Sequence, residues 1–288
     1  MLELLAPAKI NLSLNITGIR SDGYHELETI MQTVALADRL VFKAKESGIS
    51  IYYAPNLTPA GSDDLVYQAA LLLQEYTGCR KGIYILLEKN IPVAAGLAGG
   101  SADAAATLKG LNQLWDLDLT KAQVLSLGER LGADVPFCLT GGTVLARGKG
   151  EQLMVLPSLP PWGVVLVNPS FSISTAQIYQ AYDQRKLKCL PSNIQTLVKA
   201  VKQKDLKGVA GLLYNALEPV TASFYPEIAL IKQELIAKTG ALGVNMSGSG
   251  PTVFGLYPDL EAAEFAADQF TRQNNYRLKV NLISTYLS

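Results

Sequence analysis

Residues 92–106 run Pro92-Val93-Ala94-Ala95-Gly96-Leu97-Ala98-Gly99-Gly100-Ser101-Ala102-Asp103-Ala104-Ala105-Ala106, a glycine-rich stretch with the makings of an anion cradle. Glycine lets a backbone approach a phosphate closely, and the first amides of a following helix have no partner inside it. That helix is predicted by Ala104, Ala105, Leu108, Leu111, Leu114 and Trp115, spaced as one apolar face. The strand leading into the loop is predicted by the apolar run Ile83-Tyr84-Ile85-Leu86-Leu87. No Lys-Ser or Lys-Thr pair follows the last glycine, and the spaced glycines of a dinucleotide fingerprint are also missing. On these residues alone, an ordinary helix start with Ser101 as N-cap competes with a phosphate site.

Other residues have the right types for chemistry and equally plain structural explanations. Ile10, Leu12, Leu14 and Ile16 alternate with Lys9, Asn11, Ser13 and Asn15, so a strand would put Lys9, Asn11 and Ser13 on one face. By general frequency, Lys9 would be a solvated strand-edge lysine. Asp134 follows a helix stop at Gly132 and precedes Pro136, which suits a turn former. Tyr24-His25 after Asp22-Gly23 also reads as a turn. Gly248-Ser249-Gly250 reads as a hairpin turn, and Tyr179 as a core tyrosine on a helix face. Asp63 and Asp64 read as helix caps.

Composition narrows the classes. The chain has 288 residues, enough for two modest domains, and is 49% hydrophobic, which argues for a packed globular protein over disorder. Lys plus Arg and Asp plus Glu number 25 each, so no charge excess points to a nucleic-acid partner. No apolar run approaches bilayer length, so no membrane partner is expected. The start of the chain enters strand-like sequence directly, with nothing that reads as a targeting segment. Cys79, Cys138 and Cys189 are scattered and odd in number, which suits reduced thiols and a cytoplasmic location. His25 is the single histidine, which argues against a His-based triad or metal centre and leaves a carboxylate as the expected general base.

The elements that must position these residues alternate between strand and helix. Helices are predicted at 65–76, 102–115 and 121–131, and a strand at 141–146. Pro157-Ser158-Leu159-Pro160-Pro161 interrupts the pattern. It sets an expected division into domains 1–158 and 159–288. Beyond it, strands are predicted at 163–167, 244–247, 252–257 and 279–285, with helices at 194–204, 209–215, 227–238 and 261–273. The order is that of a two-domain α+β protein.

Three segments together resemble the galactokinase–homoserine kinase–mevalonate kinase (GHMP) superfamily, in order and nearly end to end. They are Ala6-Pro7-Ala8-Lys9-Ile10-Asn11-Leu12 with Gly18 to His25, the loop 92–102, and Gly243 to Thr252. Within it, Arg20-Ser21-Asp22-Gly23-Tyr24-His25-Glu26-Leu27 and Gly132-Ala133-Asp134-Val135-Pro136-Phe137 are similar to members acting on a cytidine-diphosphate-linked methylerythritol. The resemblance implies a βαβ-rich N-terminal domain and a ferredoxin-like C-terminal domain, with the active site in the cleft between them. It implies ATP-dependent phosphorylation of the substrate's 2-hydroxyl, in the non-mevalonate route to isoprenoid precursors. Relatives acting on homoserine, mevalonate or a sugar are the alternative within the class, and a ligand sensor that kept the fold is the alternative outside it.

By the same resemblance, Lys9 and Asp134 are catalytic, Asp134 accepting the hydroxyl proton. Pro92, Val93, Ala94, Ala95, Gly96, Leu97, Ala98, Gly99, Gly100, Ser101 and Ala102 bind ATP. Asn11, Tyr24, His25, Tyr179, Gly248, Ser249 and Gly250 bind the second substrate, with Tyr24, His25 and Tyr179 around the cytosine. The family commonly has a second serine where this chain has Ala102. That leaves Ser101, with Asp103 near it, as candidates to accompany a Mg²⁺ held mainly by phosphates and water.

Overall fold

Two long strands begin the chain, β1 (Leu2–Ile19) and β2 (His25–Lys45), joined by a turn in which the Arg20 amide donates to the Tyr24 carbonyl at 2.7 Å. A computed structural model describes residues 1–169, 171–185, 192–271 and 276–283. After β2 come β3 (Ile49–Tyr53), β4 (Thr58–Pro59), α1 (Leu65–Thr77), β5 (Gly82–Glu88), α2 (Gly99–Leu114), α3 (Lys121–Leu131) and α4 (Val135–Thr140). Next are β6 (Thr143–Gly148), β7 (Gln152–Val155), β8 (Gly163–Asn168), α5 (Thr175–Arg185), α6 (Ile194–Gln203) and α7 (Leu206–Gly211). The last are β9 (Tyr214–Asn215), α8 (Glu218–Phe224), α9 (Glu227–Thr239), β10 (Gly243–Met246), β11 (Val253–Tyr257), α10 (Leu260–Thr271) and β12 (Arg277–Leu282).

These elements form two compact units that interleave along the chain. One contains residues 1–8, 36–92 and 98–140, and the other 9–35, 93–97 and 141–288. The interleaving arises because β1 and β2 are long enough for one end of each to serve each unit.

In the first unit, residues 39–45 of β2 pair antiparallel with β5, and β5 pairs parallel with β3. Ile83, Ile85 and Leu87 of β5 and Leu40 and Phe42 of β2 pack with Val66, Ala69 and Leu73 of α1 and Ala104, Leu108 and Leu111 of α2. Burying each large apolar side chain contributes about 1.5–3 kcal/mol against leaving it in water. Asp64 caps α1, accepting from the Val66 amide, and Gly78 ends it in the left-handed conformation. Thr120 and Gln123 form a reciprocal cap on α3, which Gly132 closes.

The second unit holds a four-stranded antiparallel sheet in the order β10-β11-β8-β12. Numbered by their order along this part of the chain, those strands lie 2-3-1-4. With α9 between β8 and β10 and α10 between β11 and β12, this is the expected ferredoxin-like split βαβ arrangement. Val165, Val167, Val253 and Tyr257 meet Ile228, Ile231 and Leu235 of α9 and Ala263, Ala266 and Phe270 of α10 in its core.

Most predicted elements are present within a few residues of the expected ends. The helix expected at 209–215 is corrected: α7 stops at Gly211, and Tyr214 and Asn215 pair in parallel with Ser13 and Leu14 of β1. The Asn215 side chain donates to two distant carbonyls, an anchorage that local helical spacing does not reveal. Cys189, and the ends of the elements expected at 261–273 and 279–285, fall outside the described residues. Among the described residues no helix is long and apolar enough to cross a membrane.

Candidate active site

The loop after β5 departs from regular structure at alternate residues. Ala94 (φ 52°), Gly96 (φ 76°) and Ala98 (φ 57°) all adopt the left-handed conformation. Ala98 is the N-cap of α2 and offers no side-chain cap, which corrects the expectation that Ser101 caps the helix. The helix begins three residues earlier because Gly99, Gly100 and Ser101 take helical geometry. The first intrahelical bond runs from the Ala102 amide to the Ala98 carbonyl at 2.9 Å. The amides of Gly99, Gly100 and Ser101 therefore precede the first hydrogen-bonded helical donor, at the positive end of the helix dipole. Ser101 is half-buried, whereas Ala102 is turned into the core of the first unit.

A buried charge cluster ties the base of this loop to its helix. Lys89, the residue after β5, donates to Asp103 of α2 at 2.6 Å and to Asp38 of β2. Asp38 also accepts from the Asn90 and Ile91 amides, at 2.5 and 2.8 Å. Burial, opposed by the Lys89 charge and reinforced by Asp38, pushes the Asp103 carboxyl up to about 8. Asp103 Oδ1 is buried without a hydrogen-bond partner. Sealed from solvent and committed to Lys89, Asp103 does not suit a hydrated Mg²⁺. The Ser101 hydroxyl, at the mouth of α2, does. Asp38 and Lys89 carry no sequence signal beyond their charge, because their pairing spans 51 residues.

In the second unit the strand face predicted for Lys9 and Asn11 is present, but Lys9 is 4% exposed and no solvated edge lysine. Its ammonium donates to Asn11 Oδ1 at 2.7 Å, and Asn11 Nδ2 donates to Thr29 Oγ1 at 2.9 Å. The turn between β10 and β11 comes against this group. Ser247 Oγ donates to the Gly96 carbonyl at 2.9 Å and accepts from the Asn11 amide at 3.3 Å. Two further backbone bonds hold the loop residues here, Lys9 N to Leu97 O at 3.1 Å and Thr252 N to Ala95 O at 3.3 Å. A Cβ on Gly248 would lie 3.2 Å from Gly96 O and 3.6 Å from Lys9 Nζ. Lys9, Asn11, Gly96 and Gly248 are thus brought together.

Asn215 completes the group by donating to the Met246 and Gly248 carbonyls at 2.7 and 2.8 Å, which fixes the turn from below. Gly250 donates its amide to Ser247 O at 2.9 Å, and Ser249 Oγ bonds Thr175 Oγ1 at 2.8 Å. Ser247 and Asn215 were not singled out from the sequence; they lie 236 and 31 residues from the groups they hold.

The aromatic residues also gather in the second unit. His25 begins β2, and its ring lies 4.6 Å from Tyr179 at a tilt of 36° and 6.3 Å edge-on from Tyr182. Its Nε2 bonds Asp183 Oδ1 at 2.7 Å, which leaves Nδ1 as the ring nitrogen for a base edge. Tyr179, Tyr182 and Asp183 share one face of α5 by their i, i+3, i+4 spacing, a signal that could have drawn Asp183 into the sequence reading. Tyr24 is 58% exposed, with Lys149 Nζ 5.2 Å from its ring centroid. Its ring presents the broad face a stacked base would need.

Asp134 stands in the first unit between the Gly132 end of α3 and the start of α4. Its carbonyl accepts from the Cys138 amide at 3.0 Å, so its backbone opens α4 while its side chain is half-buried. The turn reading of its position therefore holds for the main chain.

With this geometry in view, residues 64–142 match GHMP kinases N terminal domain and residues 197–276 match GHMP kinases C terminal. A Pelotomaculum thermopropionicum protein named 4-diphosphocytidyl-2-C-methyl-D-erythritol kinase is 50% identical over 94% of this chain and 94% of its own length. A Syntrophomonas wolfei protein of the same name is 46% identical over 99% and 98%. A crystal structure of 4-(cytidine 5'-diphospho)-2C-methyl-D-erythritol kinase superposes with a TM-score of 0.82 at 36% identity, covering 98% of each chain. The homoserine kinase of Cytophaga hutchinsonii shares the fold at a TM-score of 0.75 and 22% identity, over 98% of this chain and 95% of its own.

Proposed function

Because this chain belongs to the 4-diphosphocytidyl-2-C-methyl-D-erythritol kinases of the GHMP family, we propose that it transfers the γ-phosphoryl group of ATP to the 2-hydroxyl of 4-diphosphocytidyl-2-C-methyl-D-erythritol. The products are the 2-phosphate and ADP, a step of the non-mevalonate route to isoprenoid precursors. The observation that carries this reading is the buried Lys9 ammonium, held by Asn11 beside the glycines of both loops. A cation sequestered there has no solvating role. It suits the charge that builds on a phosphoryl group in transfer. Release of ADP that depends on the diphosphocytidyl substrate tests the reading. Release without it, or with homoserine or mevalonate instead, would overturn it.

In this mechanism Asp134 accepts the proton of the 2-hydroxyl as it attacks, and Lys9 offsets charge on the phosphoryl oxygens. Residues 92–102 form the ATP loop: its left-handed turns bring the backbone to the phosphates, and the amides of Gly99, Gly100 and Ser101 donate to them. The Ser101 hydroxyl would be the chain's own contribution to holding a Mg²⁺ that accompanies ATP, and the ion would neutralise phosphate charge. Asn11 holds Lys9, and Gly248, Ser249 and Gly250 border the substrate's diphosphate. The boundary between the family's two domains falls at 158/159; the matched stretches lie on either side, and Pro157, Pro160 and Pro161 mark it. A cytoplasmic location suits the thiols of Cys79 and Cys138, which form no disulfide, and the balanced charge suits small-molecule partners over nucleic acid.

Tyr24, His25 and Tyr179 receive the cytosine, remote from the reacting hydroxyl. Remote binding energy is used for orientation at the reacting centre, so a truncated substrate loses turnover as well as affinity. The compound 2-C-methyl-D-erythritol 4-phosphate is expected to be phosphorylated very poorly. Tyr179→Ala is expected to lower kcat/KM for the full substrate by about 1–3 kcal/mol, the scale of one base–aromatic stack, without changing the slow rate on the truncated one. Steady-state kinetics on both compounds check this, and equal efficiency on the two would remove the cytidine pocket.

A further inference from the structure

Thr29 lies on β2, 3% exposed, and its hydroxyl has a single hydrogen. That hydrogen is committed: Thr29 Oγ1 donates to the Ser13 carbonyl at 2.6 Å. Toward Asn11 the hydroxyl can therefore only accept, and it accepts from Asn11 Nδ2 at 2.9 Å. The opposite end of the same amide, Oδ1, accepts from Lys9 Nζ at 2.7 Å. An amide has one donor end and one acceptor end, and here the two neighbours make matching demands on it. Ser247 is equally committed, since its hydroxyl donates to the Gly96 carbonyl. The result is a directed chain, Lys9 to Asn11 to Thr29 to Ser13, with every link buried. Such chains fix the geometry of a group at their end more tightly than any one bond does.

We propose that Thr29 is a positioning residue for phosphoryl transfer: it clamps the Asn11 amide so that its oxygen holds the Lys9 ammonium in place. The role rests on the phosphoryl-transfer reading above. Thr29 touches neither substrate. Without its hydroxyl the amide is held through its oxygen alone, and Lys9 gains freedom that must be lost again in each turnover. Misplacing a charged group lowers the rate of the chemical step while leaving ground-state binding largely intact.

The test is Thr29→Val, which keeps the branched shape and removes the hydroxyl, assayed by ADP release in the full-length chain. Its kcat is expected to fall about tenfold, the upper scale of one hydrogen bond between neutral groups. KM for ATP and for the diphosphocytidyl substrate should stay within about twofold. Thr29→Ser restores the donor and acceptor and should return kcat to within about twofold of the unmodified protein. Because Thr29 acts through Asn11, adding Thr29→Val to Asn11→Ala should lower kcat no further than Asn11→Ala does alone. Thr29→Ala carries the same expectations should the valine variant not fold, with thermal unfolding as the check. An unchanged kcat, a loss expressed in KM, failure of serine to rescue, or the same tenfold loss in the Asn11→Ala background would each overturn the role. An unmodified protein that releases no substrate-dependent ADP would instead remove the reaction, and this role with it.

Discussion

Asp134→Asn is expected to lower turnover by roughly two orders of magnitude or more, the usual contribution of a general base. The substitution keeps the volume and removes the capacity to take a proton from the 2-hydroxyl. The bond that opens α4 comes from the Asp134 carbonyl, which accepts from the Cys138 amide at 3.0 Å, and the substitution keeps it. Affinity for ATP should therefore barely move, and stopped-time ADP assays beside a nucleotide titration separate the two quantities. A variant with most of its activity left would take Asp134 out of the chemistry and return it to a turn former.

Gly96→Ala is expected to abolish measurable turnover and to destabilise the chain by about 3 kcal/mol or more, a loss typical of forced overpacking with backbone strain. Two costs combine at this position. The residue holds φ at 76°, where a side chain is strained, although Ala94 and Ala98 show that this cost alone is tolerable. The larger cost is space: a Cβ would sit 2.1 Å from the Ser247 carbonyl oxygen and 3.1 Å from that of Gly250. Both obstacles are backbone, so neither can swing aside. Relief requires the loop and the turn to part, breaking Ser247 Oγ to Gly96 O and Thr252 N to Ala95 O. Thermal unfolding and the ADP assay measure the two losses. Gly211→Ala, with nothing near its Cβ position, is the control expected to leave both unchanged.

The loop and its flanking strand and helix were legible because their signals are local. Strand β5 is an apolar run, α2 shows its face every three or four residues, and α3 matches its predicted span of 121–131. Alternation along β1 likewise gave the shared face of Lys9 and Asn11. The start of α2 was misjudged because a serine after glycines imitates a cap, whereas the chain caps with a left-handed Ala98. The 21-residue β2 went unread, since its polar residues interrupt any simple period. Thr29, Ser247 and Asn215 were invisible for a different reason. Each acts on residues 16 to 236 positions away, and no spacing rule reaches that far.

The pairing of Asn11 with Ser247 has a consequence for the chain as it is being made. A ribosome delivers Lys9 and Asn11 well before the hydroxyl that packs against Asn11, which emerges 236 residues later. Strand β9, the parallel neighbour of Ser13 and Leu14, also arrives only at Tyr214 and Asn215. The first unit, by contrast, has all its segments by residue 140 and can organise early, as domains do during synthesis. The Lys9 cluster is thus completed only once Ser247 has been made, after the first unit has all its segments. Chains released before Ser247 keep the Lys9–Asn11–Thr29 bonds but lack the turn that meets Asn11 and Gly96, so premature termination leaves the cluster incomplete.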